Sequence, residues 1–143
     1  MRVATDPRFR VPRSIPSLST ARVLTMSWEE GVPLGEWVQS QPSREVRHAF
    51  GRAVLDLYCA EFFEWGMVQT DPNFGNFLVR PDGQIVLLDF GATVEYDTAF
   101  REDYVRLLGT LASGDRARIL QEAIGFGLLD PRESAAARGL FTD

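Results

Sequence analysis

The stretch from residue 69 to residue 93 reads QTDPNFGNFLVRPDGQIVLLDFGAT. Asp71 is followed five residues later by Asn76, and thirteen residues further on by Asp89-Phe90-Gly91. Phosphoryl transfer uses this layout: a carboxylate beside the attacking hydroxyl, then an amide oxygen and a second carboxylate for magnesium on the nucleotide phosphates. Two short β segments around the Pro81-Asp82-Gly83-Gln84 turn would bring these groups together across one hairpin. Singly, Asp71-Pro72 reads as a turn device and Asn76 as a loop former. Asp89 is sharper. It ends an apolar run expected to be buried on both faces, where an uncompensated carboxylate costs several kcal/mol.

At 143 residues, with 45% hydrophobic and 24% charged residues, the chain reads as one globular domain with a sizeable core. A net charge of −5 gives no basic field, so nucleic acid is not an expected partner. The single cysteine, Cys59, has no partner within the chain for a disulfide. No apolar run reaches the length of a bilayer span, and MRVATDPRFRVPR lacks the core of a signal peptide. The expectation is a cytoplasmic domain. All fifteen basic residues are arginine. Genomic base composition often produces this bias, but it has a chemical consequence: no lysine ammonium is available for nucleotide phosphates.

Arg22–Met26 reads as a short buried strand, and 27–33 as a break in regular structure. Ser43 is placed to cap a helix whose apolar stripe is Val46, Phe50, Val54, Leu57, Tyr58 and Phe62, with Gly66 as its left-handed end. A loop over 67–76 should precede strands at 77–80 and 85–88. After Gly91 the pattern is helical, with Phe100, Tyr104, Leu107, Leu108 and Leu111 on one stripe. Ser113-Gly114-Asp115 should cap a helix from Arg116 to about Phe126, and Asp130-Pro131 should start a last one. His48 and the late arginines Arg101, Arg106, Arg116 and Arg118 read as solvated. Cys59 reads as a buried or half-buried filler, and Phe62, Phe63 and Trp65 as packing residues.

Residues 69–93 resemble the UbiB-type atypical kinases, the kinase-like proteins of ubiquinone biosynthesis, and particularly the branch that includes mitochondrial members. The segment 5–35, with VLTM and EGVPL, resembles what precedes that signature, and the likeness continues to about Phe126. The resemblance implies an α+β fold: a kinase-like carboxyl-terminal lobe, mostly helical, with a small hairpin leading to the Asp-Phe-Gly motif. It implies Asp71 as the catalytic-loop aspartate and Asn76 and Asp89 as magnesium ligands. Gln69, Thr70, Pro72, Phe90 and Gly91 would be motif residues, with Gly91 turning the backbone after Asp89. Met26, Trp28, Glu29, Glu30 and Gly31 would form the interlobe hinge that takes the adenine of ATP. Trp28 alone reads equally well as a half-buried interface aromatic.

Family members carry a phosphate-covering loop, a phosphate lysine and an upstream regulatory helix before the matching segment. None falls within these residues, so the amino-terminal lobe is expected to be largely missing. Residues 1–31 would be its remnant and 32–143 the carboxyl-terminal lobe. Expected cofactors are Mg2+ and ATP. Expected partners are lipid-soluble quinone precursors, proteins of a biosynthetic complex or a separate amino-terminal lobe polypeptide, with peripheral placement at an inner membrane. Two alternatives stay open: an inactive remnant serving as a binding or scaffold module, and a small-molecule phosphotransferase of the aminoglycoside or choline kinase type. The latter group usually has histidine where Gln69 stands.

Overall fold

Ser43 does cap the long helix: its hydroxyl accepts the Val46 N–H at 3.3 Å. A computed structural model describes residues 2–142. The chain divides into two compact units, Met1–Glu95 and Tyr96–Asp143.

The first unit holds a four-stranded sheet and a helical layer. Its strands are β1 (Phe9–Arg10), β2 (Val32–Pro33), β4 (Phe77–Val79) and β5 (Ile85–Leu87), in the order β1-β5-β4-β2. β1 runs parallel to β5, while β5–β4 and β4–β2 are antiparallel. Gly83 turns the hairpin with φ 84°, a conformation that costs a side chain dearly, and Arg80 N–H bonds the Gln84 carbonyl across it. A separate pair joins β3 (Met67–Gln69) to β6 (Thr93–Glu95). The expected loop over 67–76 is therefore ordered at both ends, by β3 and by a 3-10 turn at Phe74–Asn76.

Two helices, α1 (Leu34–Gln39) and α2 (Arg44–Cys59), follow β2. α2 continues as a π-helical turn, Ala60–Trp65, and stops at Gly66 with φ 67°. Ala53 and Leu57 join Val3, Phe9, Leu34, Phe77, Val79, Ile85 and Leu87 in one core, with Trp37, Phe50, Trp65 and Phe90 packed on it. Ile85, Val86 and Leu87 are all buried, as a two-faced apolar run requires. Val46, in the first turn of the same α2 stripe, is exposed.

Arg22–Met26 is not a buried strand. Only the single bridges Thr20–Val23 and Ser14–Met26 form there, and Val23, Leu24 and Met26 are exposed. Strand propensity without a neighbouring strand to complete the ladder leaves these side chains at the surface. Cys59 is exposed rather than a filler, because it lies off the Ala53–Leu57 stripe. His48 is exposed, as expected.

The second unit consists of α3 (Thr98–Ser113), α4 (Arg116–Gly125) and α5 (Ala135–Thr142). Asp97 caps α3, and Asp115 caps α4 through the Ala117 and Arg118 amides. Of the expected α3 stripe only Leu107 is buried. Phe100 and Tyr104 instead pack on Phe126, with ring centroids 5.1 and 5.9 Å apart, while Leu108 and Leu111 are exposed. α5 starts later than Asp130-Pro131, because the Asp130 carboxylate is taken up by Arg132; Ser134 accepts the Ala137 N–H instead. Arg106 is ion-paired with Asp103 and, at 3.1 Å, with Glu122.

Candidate functional site

The β4–β5 hairpin separates two concavities, because successive side chains of a strand point to opposite faces. Phe77 and Leu87, cross-strand partners, face one; Leu78 and Leu88 face the other.

The first concavity is a narrow cleft of about 20 Å³. Asp71, Asn76 and Asp89 all line it, together with Gln69, Phe90, Tyr58 and Glu61. The hairpin thus brings Asp89 onto the cleft that Asp71 and Asn76 also line. Gln69 sits between them: its Nε2 donates to the Asp89 carbonyl at 3.0 Å, and its Oε1 accepts the Asp71 N–H at 3.1 Å. Thr70 donates from both N–H and Oγ1 to the Ala92 carbonyl. The 3-10 turn is held by Asn73, whose Oδ1 accepts the Gly75 N–H, and Leu88 N–H bonds the Asn76 carbonyl. Pro72 lies in the exposed part of the loop.

Asp89 is not buried, contrary to the expectation from its apolar approach. β5 ends at Leu87, and Leu88 is already half-buried, so the carboxylate reaches solvent and most of the desolvation cost falls away. Gly91 opens a turn after Asp89, without a left-handed backbone. The reason for glycine is space: its N–H donates to Asp89 Oδ1 at 2.7 Å, and a Cβ there would stand 3.2 Å from that oxygen. Phe90 is packed against the core, which anchors the motif.

Asp89 keeps Oδ2 beyond the bond to Gly91, and Asn76 offers an amide oxygen on the same cleft. Hard oxygen donors suit magnesium. Among the described residues no three His, Cys, Asp or Glu side chains cluster as a metal site, so phosphate and water would supply the remaining coordination.

The second concavity is a wide groove, and all five hinge candidates line it: Met26, Trp28, Glu29, Glu30 and Gly31, with Leu78 and Leu88 as apolar wall. Trp28 stands 89% exposed on this groove. Gly31 packs so close to β4 that a Cβ would lie 2.8 Å from Leu78 Cβ. The Glu29 side chain is turned away and buried: it is ion-paired with Arg10 and accepts from the Ser27 hydroxyl at 2.9 Å. The Arg10 bond holds its carboxyl below the usual range against the opposing effect of burial.

The sequence profile of the ABC1 atypical kinase-like domain matches residues 1–123. The chain belongs to the ABC1 atypical kinase-like family. Relatives in this family include mitochondrial atypical kinase COQ8B of Rattus norvegicus, 37% identical over 94% of this chain and 25% of its own length. Mitochondrial COQ8 of Schizosaccharomyces pombe is 35% identical over 91% of the chain and 21% of its own length. Mitochondrial COQ8 of Saccharomyces cerevisiae is 30% identical, over 96% and 27%. The chain therefore spans about a quarter of the length of these relatives. Among solved structures, the complex of Rv3197 with erythromycin from Mycobacterium tuberculosis superposes with a TM-score of 0.70. It covers 95% of this chain and 34% of that one at 23% identity, a likeness of fold. Membership in the ABC1 family does not favour the small-molecule phosphotransferase or scaffold alternatives. No helix among the described residues is long and apolar enough to cross a membrane.

Two residues of this ABC1 domain's cleft escaped the sequence reading. Burial raises the pKa of Glu61, and burial together with the negative charges of Glu61 and Asp71 raises that of Tyr58. Glu61 left one signal: an acid four residues after Leu57, on the buried stripe.

Proposed function

We propose that this chain is the ATP- and magnesium-handling part of an atypical kinase or ATPase of the isoprenoid quinone pathway. The observation that carries the reading is the meeting of Asp71, Asn76 and Asp89 on one cleft, with the five hinge residues on the other side of the same hairpin. Asp71 would orient or deprotonate the acceptor hydroxyl or water. The Asn76 oxygen and Asp89 Oδ2 would hold magnesium, which neutralises charge developing on the transferred phosphoryl group. Backbone groups near Trp28 to Glu30 would bond adenine, and Leu78 would support its face. Quinone precursors as substrate, biosynthetic proteins as partners and a peripheral place on an inner membrane belong to the same reading.

The lack of lysine sets the expected level of activity for this polypeptide. Single cations on transferring phosphates are worth ~10³-fold or more. Weak nucleotide binding and slow turnover are therefore expected of these residues acting alone. Thermal shift with ATP, with and without magnesium, and phosphate release test the reading, with Asp89→Asn as the control. A magnesium-dependent shift that Asp89→Asn abolishes supports it. Equal shifts in both proteins overturn it.

A further inference from the structure

Glu61 is 7% exposed, and its neighbours on the helix, Ala53 and Leu57 at the same spacing, belong to the apolar core. No cation is paired with it among the described residues. Its Oε2 accepts the Gln69 N–H at 3.1 Å. An acid buried on one main-chain bond is poorly compensated: a leucine at this point of the stripe would suit the core better. Local rules are broken in this way mainly where a site requires it. The π-helical turn that begins at Ala60 is also a feature that tends to sit at functional sites.

The bond runs to the residue that connects the two acidic loops. Gln69 touches Asp71 through Oε1 and Asp89 through Nε2, and Asp89 in turn holds the Gly91 N–H. A side chain spans two partners well only if its own backbone is fixed, since each free torsion loosens both contacts. The β3–β6 pairing fixes Gln69 from one side, opposite Thr93. Glu61 fixes it from the helix.

We infer that Glu61 is a positioning residue: its buried carboxyl anchors the Gln69 main chain, so that the Gln69 side chain sets Asp71 and Asp89 relative to one another. The inference rests on the proposed magnesium–nucleotide role of those two aspartates, but its geometric content can be read without nucleotide.

The test is residue-resolved amide hydrogen exchange on the full 143-residue chain, comparing wild type with Glu61→Leu and Glu61→Gln. In Glu61→Leu the Asp71 and Gly91 amides should exchange about tenfold faster, the worth of one hydrogen bond to a charged group, while Val86 and Leu87 stay as slow as in wild type. Glu61→Gln keeps an acceptor oxygen and the volume, and should hold both amides as wild type does. Unchanged exchange at Asp71 and Gly91 in Glu61→Leu overturns the inference. So does uniform acceleration that includes Val86, which marks a core role only. If Glu61→Leu does not fold, faster exchange of the two amides in Glu61→Gln overturns it by itself. A magnesium-dependent ATP shift in the same proteins separates the two ideas. Its absence from wild type, with the selective loosening present, sinks the nucleotide reading and leaves the anchor standing.

Discussion

Gln69 donates from Nε2 to the Asp89 carbonyl at 3.0 Å, twenty residues along the chain, while its other amide atom accepts from Asp71. One side chain thus sets the separation between the loop after β3 and the loop after β5. An amide suits the task because it presents a donor and an acceptor from one rigid plane. Gln69→Glu keeps the shape but loses the donor, and faces the Asp89 carbonyl with a second oxygen. It should destabilise the chain by about 1–2 kcal/mol in urea unfolding, at least as much as Gln69→Ala. Equal stability of Gln69→Glu and wild type would show that the amide bridge contributes nothing.

Gly31 carries a packing constraint that its exposure hides. The 2.8 Å approach to Leu78 Cβ, with the Val79 carbonyl oxygen at 3.3 Å, leaves no room for a methyl group. Gly31→Ala should push the segment 26–31 off β4 and cost about 1–3 kcal/mol. Gly35 is the control. It lies in α1, where a Cβ meets nothing within 4 Å, and alanine is a better helix former by up to about 1 kcal/mol. Gly35→Ala should therefore be neutral or stabilising in thermal unfolding, and the prediction fails if both variants behave alike.

Two buried glutamates should bend the pH profile of stability in opposite directions. Glu29 has its pKa lowered by Arg10, so its contribution is present above the ordinary value of 4.5 and is lost as pH falls through the depressed one. Glu61 has its pKa raised by burial: its contribution is present below 4.5 and is lost as pH rises through the elevated one. Glu29→Gln should flatten the acid limb, and Glu61→Gln the decline above 4.5. Urea midpoints from pH 3 upward read both, and an unaltered acid limb in Glu29→Gln would exclude the Arg10 pair as its source.

What could be read from the sequence was local. Ser43, Gly66 and Asp115 announce helix ends because a cap acts within one turn, and Gly83 marks the hairpin for the same reason. Asp71, Asn76 and Asp89 could be placed together because a two-stranded hairpin lies between them. β3 could not be read, since Met67–Gln69 gains its strand character from Thr93–Glu95, over twenty residues away. Asp89 was misjudged because the apolar run gives no sign that β5 stops at Leu87. The Glu61 anchor depends on a helix, a π-helical turn and a strand meeting at one amide, and no spacing rule encodes that meeting.

Trp28 offers the cleanest separation of stability from binding. At 89% exposure it contributes almost nothing to the folded core, yet it lines the same groove as Leu78 and Leu88. Exposed substitutions typically change stability by no more than about 0.5 kcal/mol, so Trp28→Ala should unfold with wild-type urea dependence. Aromatic stacking on a base is worth about 1–3 kcal/mol, so the same variant should bind an adenine nucleotide about tenfold more weakly. Trp28→Phe keeps a ring and should recover most of that loss. Titration with ATP and with inorganic triphosphate divides the effect, because triphosphate has no base to stack. A loss confined to ATP places adenine in the groove; equal losses for both ligands, or none for ATP, would remove Trp28 from the nucleotide site.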